Sequence, residues 1–202
     1  STIADRMQEW ENEIRERGFG LAYLPSPGQV RIRISSPKGK IDEQEIDAYF
    51  SQLQKEMPRN VYGYGEVSLS EVVGKLLSEH NFTLSTAESC TGGALASSIV
   101  SVSGASNYFH GSFITYSNEL KNKVLNVPNE LFTTVGAVSK EVVEIMASEA
   151  RQKLGVDYCL SVSGIAGPEG GTLEKPVGTV WIGLATPTKT ISRKYLFANN
   201  RD

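Results

Sequence analysis

Thr83-Leu84-Ser85-Thr86-Ala87-Glu88-Ser89-Cys90-Thr91-Gly92-Gly93-Ala94-Leu95-Ala96-Ser97-Ser98-Ile99-Val100 changes character twice. Thr83–Ala87 reads as a strand, Glu88–Gly93 as a polar turn, and the small residues from Ala94 to about Val102 as a helix. A strand that passes through a glycine pair into a helix is the repeating unit of α/β folds. The same alternation continues on both sides. Upstream, Ser68 and Glu71 form a capping box before Leu69, Val72, Val73, Leu76 and Leu77, one stripe of an amphipathic helix. Downstream, a strand over about Gly111–Tyr116 ends in Ser117-Asn118-Glu119, and Ser139 caps a helix bearing Val142, Val143, Ile145, Met146 and Ala150. A third strand, Tyr158–Val162, runs into Ser163-Gly164-Ile165-Ala166-Gly167-Pro168, and two more follow at about Gly178–Ala185 and Thr190–Phe197. This order implies a sheet with parallel members, covered on both faces. With no helix after the last strand, a missing C-terminal helix is expected.

The first 65 residues are different. Thr2 caps a helix carrying Ile3, Met7, Trp10 and Ile14, which Gly18 ends. Leu21–Leu24 reads as a strand, and Val30, Ile32 and Ile34 alternate with polar residues in a second. Asp42 and Glu45 open a helix with Ile46, Tyr49, Phe50 and Leu53 on one face, and Val61–Gly65 reads as a last strand. The order α-β-β-α-β is that of KH folds, which bind single-stranded nucleic acid, but Ser36-Pro37-Lys38-Gly39-Lys40 lacks their Gly-x-x-Gly clamp.

Of the 202 residues, 40% are hydrophobic and 21% charged, which is globular usage. The net charge is −3. Residues 1–62 carry 9 basic and 10 acidic groups, the remainder 11 and 13, so neither part is cationic. That argues against nucleic acid and anionic membranes as partners. No apolar run reaches a membrane span's length and no signal peptide opens the chain, so a cytoplasmic location is expected. Two cysteines make no disulfide framework, and no Cys or His stands at metal-ligand spacing, so neither metal nor cofactor is expected.

Three strands end in loops rich in Ser, Thr, Asn and Gly, and parallel strands would bring these loops to one rim. There Ser89 is the leading nucleophile, with amide donors around Thr91, Gly92 and Gly93 to hold an oxyanion or a phosphate. The bland alternative is a tight strand-to-helix turn. Neither His80 nor His110 falls at that rim, whereas Lys121 does. A lysine can act as base if burial keeps it neutral, with Tyr116 to relay or orient the proton. Cys90 is the competing nucleophile, since a helix N-terminus favours a thiolate. Gly167–Gly171 with Lys175-Pro176 reads as a flap or connector.

Thr86-Ala87-Glu88-Ser89-Cys90-Thr91-Gly92-Gly93, Thr115-Tyr116-Ser117-Asn118-Glu119-Leu120-Lys121, Gly136-Ala137-Val138-Ser139, Ser163–Pro168 and Lys175-Pro176-Val177-Gly178-Thr179-Val180-Trp181 together resemble the C-terminal domain of the CinA (competence/damage-inducible) family, over residues 66–202. Residues 1–65, with Ala22–Gly28, resemble that family's KH-like middle domain. The resemblance implies a three-layer α/β/α domain with a mixed, mostly parallel five-stranded sheet. It also implies hydrolysis of the carboxamide of nicotinamide mononucleotide by a Ser/Lys mechanism, at Ser89 and Lys121 with Tyr116 nearby. Substrate would be held by Thr91, Gly92, Gly93, Ser163, Gly164, Ala166, Gly167 and Arg201. Arg201 lies in Ala198-Asn199-Asn200-Arg201-Asp202, where the family carries Gly-Asp before the arginine. A homodimer or higher homo-oligomer is expected. The competing expectation is a catalytically silent nucleotide-binding or oligomerisation module.

Overall fold

The computed structural model describes residue 5 and residues 7–26, 28–36 and 43–197. The chain divides after Tyr62 into two compact units. In the first, helix α1 (Gln8–Glu16) precedes an antiparallel hairpin of β1 (Gly20–Ser26) and β2 (Gln29–Ser35), followed by α2 (Glu43–Glu56). Trp10, Ile14, Leu21, Tyr49 and Leu53 form its core. The buried Trp10 indole N–H finds the acceptor it needs in the Tyr49 carbonyl, at 3.0 Å. The caps read at Thr2 and Asp42 lie outside the described residues.

The strand expected over Val61–Gly65 does not form. The amides of Asn60 and Val61 both return to the Met57 carbonyl, at 3.0 and 3.3 Å, and wrap the chain around the end of α2. Gly65 then sits at φ +74°, outside strand geometry. The unit therefore shows α-β-β-α among its described residues, without the fifth element of the KH-like order.

The second unit opens with α3 (Leu69–Glu79), and its capping box is formed. The Glu71 amide donates to Ser68 Oγ at 3.1 Å, and the Ser68 amide donates to the Glu71 carboxylate at 2.6 Å. There follow β3 (Leu84–Glu88), α4 (Ala94–Val100), a short 3-10 turn (Ala105–Asn107), β4 (Phe109–Ile114), α5 (Asn118–Leu125), α6 (Asn129–Thr134), α7 (Lys140–Leu154), β5 (Tyr158–Gly164), β6 (Thr179–Ala185) and β7 (Thr190–Leu196). The five strands lie in the order β4-β3-β5-β6-β7. Strand β3 is parallel to both neighbours, and β6 is antiparallel to β5 and β7, so four strands share one direction. This is the mixed five-stranded α/β sheet that the resemblance implies.

Alternation along β3 shows how the layers divide, because successive side chains face opposite sides. Ala87 packs with Val142, Met146, Ala147 and Ala150 of α7 and Leu125 of α5. Leu84 packs with Leu77 of α3 and Ile99 of α4. The chain thus leaves β3 toward one face and β4 toward the other. Such a reversal opens a crevice at the carboxyl ends of the two strands.

Two findings at that crevice differ from the sequence reading. Strand β4 ends at Ile114 rather than Tyr116; the Thr115 amide makes one last bond, to the Glu88 carbonyl of β3 at 2.9 Å, and the chain then turns away from the sheet. Helix α5 occupies a segment read as loop; it is only eight residues long, started by Ser117, whose Oγ accepts from the Leu120 amide at 3.1 Å, and ended by Asn126 at φ +53°. No helix among the described residues is long and apolar enough to cross a membrane.

The face carrying α7 approaches the sheet closely at Gly183. A Cβ there would lie 2.4 Å from Ser161 Oγ and 2.7 Å from the Val143 carbonyl oxygen. Gly183→Ala is therefore expected to cost about 1–3 kcal/mol, read as a lower urea midpoint for the whole chain. An unchanged midpoint would contradict this contact.

Candidate active site

Ser89 follows directly on β3, and its amide still donates to the Val162 carbonyl of β5 at 3.0 Å. Lys121 stands in the first turn of α5, beyond the end of neighbouring β4. The two residues straddle the crevice, and both are buried, Ser89 at 7% exposure and Lys121 at 1%. The Lys121 ammonium group is 2.9 Å from Ser89 Oγ, 3.0 Å from the Thr115 carbonyl oxygen and 3.0 Å from that of Tyr116.

These contacts fit either protonation state of the lysine. A neutral amine has two N–H donors and one lone pair. An ammonium donates to all three oxygens, Ser89 Oγ included; once neutral, the amine keeps its two N–H groups on the carbonyls and turns its lone pair to the Ser89 hydroxyl. Burial is what favours the neutral form. It lowers the Lys121 pKa from 10.5 to about 8, against a smaller opposing pull from Cys90. None of the described ion pairs involves Lys121.

The turn after Ser89 is held by Glu88, which is 0% exposed. Its Oε2 accepts from Thr91 Oγ1 at 2.7 Å and from the amides of Gly93 and Leu95 at 3.0 and 3.1 Å. Its Oε1 accepts from the Ala96 amide at 2.7 Å and from Thr86 Oγ1 at 3.2 Å. Burial pushes this carboxyl up. The hydrogen bonds from Thr91, Ala96, Leu95 and Gly93 together outweigh it and hold Glu88 below the ordinary carboxylate value. Gly93 caps α4 at φ +103°, a conformation that favours glycine.

Following each amide in turn corrects the expected oxyanion donors. Gly92 donates to the Ser89 carbonyl at 3.1 Å, and Ala94 to the Thr91 carbonyl at 3.0 Å. With Gly93, Leu95 and Ala96 on Glu88, the amides of Gly92 and Gly93 are already engaged. The N–H groups of Cys90 and Thr91 have no oxygen acceptor among the described residues. Both face the Cys90 sulfur.

The other sequence candidates divide. Tyr116 reaches Lys121 through its main-chain carbonyl; its side chain is 63% exposed and makes no hydrogen bond to Ser89 or Lys121. Ser163 is 1% exposed and donates to the Ala137 carbonyl at 2.8 Å, because strand alternation turns it toward the α7 layer with Cys159 and Ser161. Gly164 lies beside the Cys90 sulfur, 3.0 Å from where a Cβ would stand. Gly167, at φ +76°, is backed by Val177, and Ala166 is half-buried beside it. Lys175 ties the 167–178 connector down, donating to the carbonyls of Val135 and Val138. Arg201 lies outside the described residues. For Cys90, burial outweighs its backbone and Lys121 surroundings and pushes the thiol up, the reverse of the expected activation. His80 ends α3, and His110 lies near the amino end of β4, away from the crevice.

Residues 66–202 match the family model of the CinA C-terminal domain. The chain belongs to the CinA family. A CinA-like protein of Cytophaga hutchinsonii is 42% identical over 208 residues, covering all of this chain and 49% of its own length. One from Prochlorococcus marinus is 43% identical over 203 residues, 95% of this chain and 48% of its own. The chain thus spans about half the length of the curated relatives it matches. Among solved structures, the competence damage-inducible protein A from Klebsiella pneumoniae is similar at 36% identity and TM-score 0.62, over 64% of this chain and 80% of that one. The competence/damage inducible protein CihA from Agrobacterium tumefaciens matches at 33% identity and TM-score 0.64, over 66% and 82%.

In this CinA domain two backbone groups beside the dyad were not legible in the sequence: the Thr115 carbonyl, which accepts from Lys121, and the Cys90 amide, which faces its own sulfur. The signal for the first was Ser117 as a helix cap, which places Lys121 one turn in and folds it back over Thr115. Because the folded state releases the Lys121 proton near pH 8 and the unfolded chain near 10.5, the unfolded chain binds more protons between those values. Stability is therefore expected to rise with pH across that window. An NMR titration of the Lys121 side chain should show a midpoint about 8; a midpoint at the ordinary lysine value would contradict the burial.

Proposed function

We propose that this chain hydrolyses the carboxamide of nicotinamide mononucleotide to nicotinate mononucleotide and ammonia. The observation that carries this reading is the Lys121 amine, buried with no counter-ion among the described residues and 2.9 Å from the Ser89 hydroxyl oxygen. The motif resemblance supplies the substrate, and residues 66–202 are the catalytic part, with 1–65 as a KH-like helper.

Ser89 Oγ attacks the carboxamide carbon while its proton passes to Lys121 Nζ, and the carbonyl oxygen becomes an oxyanion. The N–H groups of Cys90 and Thr91 are the donors for that oxyanion, the first in the position of the residue after the nucleophile in hydrolase elbows. Such a donor is worth about 2.7–4 kcal/mol in a comparable hydrolase. As the C–N bond breaks, Lys121 returns the proton to the leaving nitrogen and ammonia departs. Water then attacks the acyl-Ser89 ester, with Lys121 again taking the proton and delivering it to Ser89 Oγ. The carbonyls of Thr115 and Tyr116 hold the amine throughout, which gives Tyr116 a main-chain role. The strand end and loop Gly164–Gly167 border the path for ribose and phosphate, and Arg201, outside the described residues, is the cation that the motif resemblance implies for the phosphate.

Ammonia release from nicotinamide mononucleotide is expected to fall about 10³-fold or more in Ser89→Ala. Lys121→Arg should match it, because a guanidinium stays protonated. In the unsubstituted chain, kcat/KM should rise with pH through a midpoint about 8, as Lys121 loses its proton. Equal rates in the chain and Ser89→Ala would remove Ser89 as nucleophile. No release at any pH would favour the silent binding module.

A further inference from the structure

We infer that Glu88 is the positioning residue of this site: its carboxylate, by engaging the amides at the start of α4, leaves the Cys90 and Thr91 N–H groups as the oxyanion donors. This rests on the Ser89–Lys121 reading above and goes beyond it, because it assigns the origin of the donor pair. Counted from Ser89 to Ala96, the amides are disposed of one by one. Ser89 goes to the Val162 carbonyl, Gly92 to Ser89, Ala94 to Thr91, and Gly93, Leu95 and Ala96 to Glu88. Only Cys90 and Thr91, next to the nucleophile, are left without an oxygen acceptor; their N–H groups face the Cys90 sulfur, a weak acceptor that a substrate oxyanion would have to displace.

Glu88 suits this task for three reasons. It is the last residue of β3, so the sheet fixes its backbone, and Ser89 is bonded to it covalently. Its side chain lies on the α4 side of the sheet, opposite Ala87, so it reaches under the turn rather than into the crevice. It is also charged where α4 presents its positive end, an arrangement that a neutral isostere loses in part. A glutamine would aim its NH2 group at amide donors that need an acceptor, and the turn would have to open to relieve that contact. The carboxylate also fills the place where a substrate phosphate could otherwise sit at the start of α4.

The test uses the full chain and two readouts that do not depend on the substrate. First, amide hydrogen exchange is measured for the chain and Glu88→Gln. The Gly93, Leu95 and Ala96 amides should be protected in the former and exchange at least about tenfold faster in the latter, while Cys90 and Thr91 exchange fast in both. Second, an alkyl fluorophosphonate labels Ser89: the Oγ–P bond forms, the P–F bond breaks, fluoride leaves, and the hydroxyl proton passes to Lys121. The phosphoryl oxygen takes the oxyanion position, so labelling should be slower by about 10²-fold in Glu88→Gln, in line with loss of a donor. Thr91→Val removes one hydroxyl from Glu88 without removing the carboxylate, and should slow labelling severalfold, with Thr91→Ser restoring it. It serves where Glu88→Gln does not fold. Unchanged exchange at Gly93, Leu95 and Ala96, or labelling as fast in Thr91→Val and any folded Glu88→Gln as in the original, would overturn the assignment. So would failure of the original chain to be labelled at all. Labelling that responds as described in a chain releasing no ammonia would leave Glu88 in this role and remove only the proposed substrate.

Discussion

The structure of the second unit turns on one constraint: a lysine amine taken out of water and given only carbonyls and a hydroxyl as partners. Lys121 at 1% exposure cannot hold its proton as a surface lysine does. Everything needed to impose that is local. Strand β4 stops at Ile114, and Ser117 starts a helix that brings Lys121 back over Thr115 and Tyr116. The reversal between β3 and β4 then sets Ser89 against it. A single-turn shift of α5 would leave the same residues in the chain and no dyad.

The neighbouring turn works by the opposite electrostatic rule. Glu88 is as buried as Lys121, yet it stays charged because it collects amide and hydroxyl donors. Two adjacent layers of one crevice thus hold a cationic group pushed toward neutrality and an anionic group kept charged. The desolvation is similar, and the hydrogen-bonding partners decide which outcome follows.

How much of this was legible in the sequence follows from range. Capping boxes and apolar stripes are local, so α3 and α7 were readable from Ser68 and Ser139, and the strand–turn–helix at Thr83–Val100 indicated the α/β class. Ser89 and Lys121 were legible together because the order of strands and loops alone brings both to one rim. Helix α5 was missed because eight residues hold little more than two turns of apolar pattern. The strand at Val61–Gly65 was misread because its bonds to Met57 compete with any ladder, and composition does not reveal that. The Cys90 and Thr91 amides, the donors proposed for the oxyanion, could not be seen at all. Backbone amides have no letter in the sequence, and which of them are free depends on where the Glu88 side chain goes. Ser163 shows the converse, a hydroxyl with a suitable letter that the pleat turns toward Ala137.

The most direct measurement of the central claim is rapid-quench mass spectrometry of the Ser89 peptide during a single turnover of nicotinamide mononucleotide. An acyl group on Ser89 Oγ is expected to form and decay with ammonia release, and to be lost in Lys121→Arg. An adduct on Cys90, or turnover at the full rate with no adduct on Ser89, would contradict it.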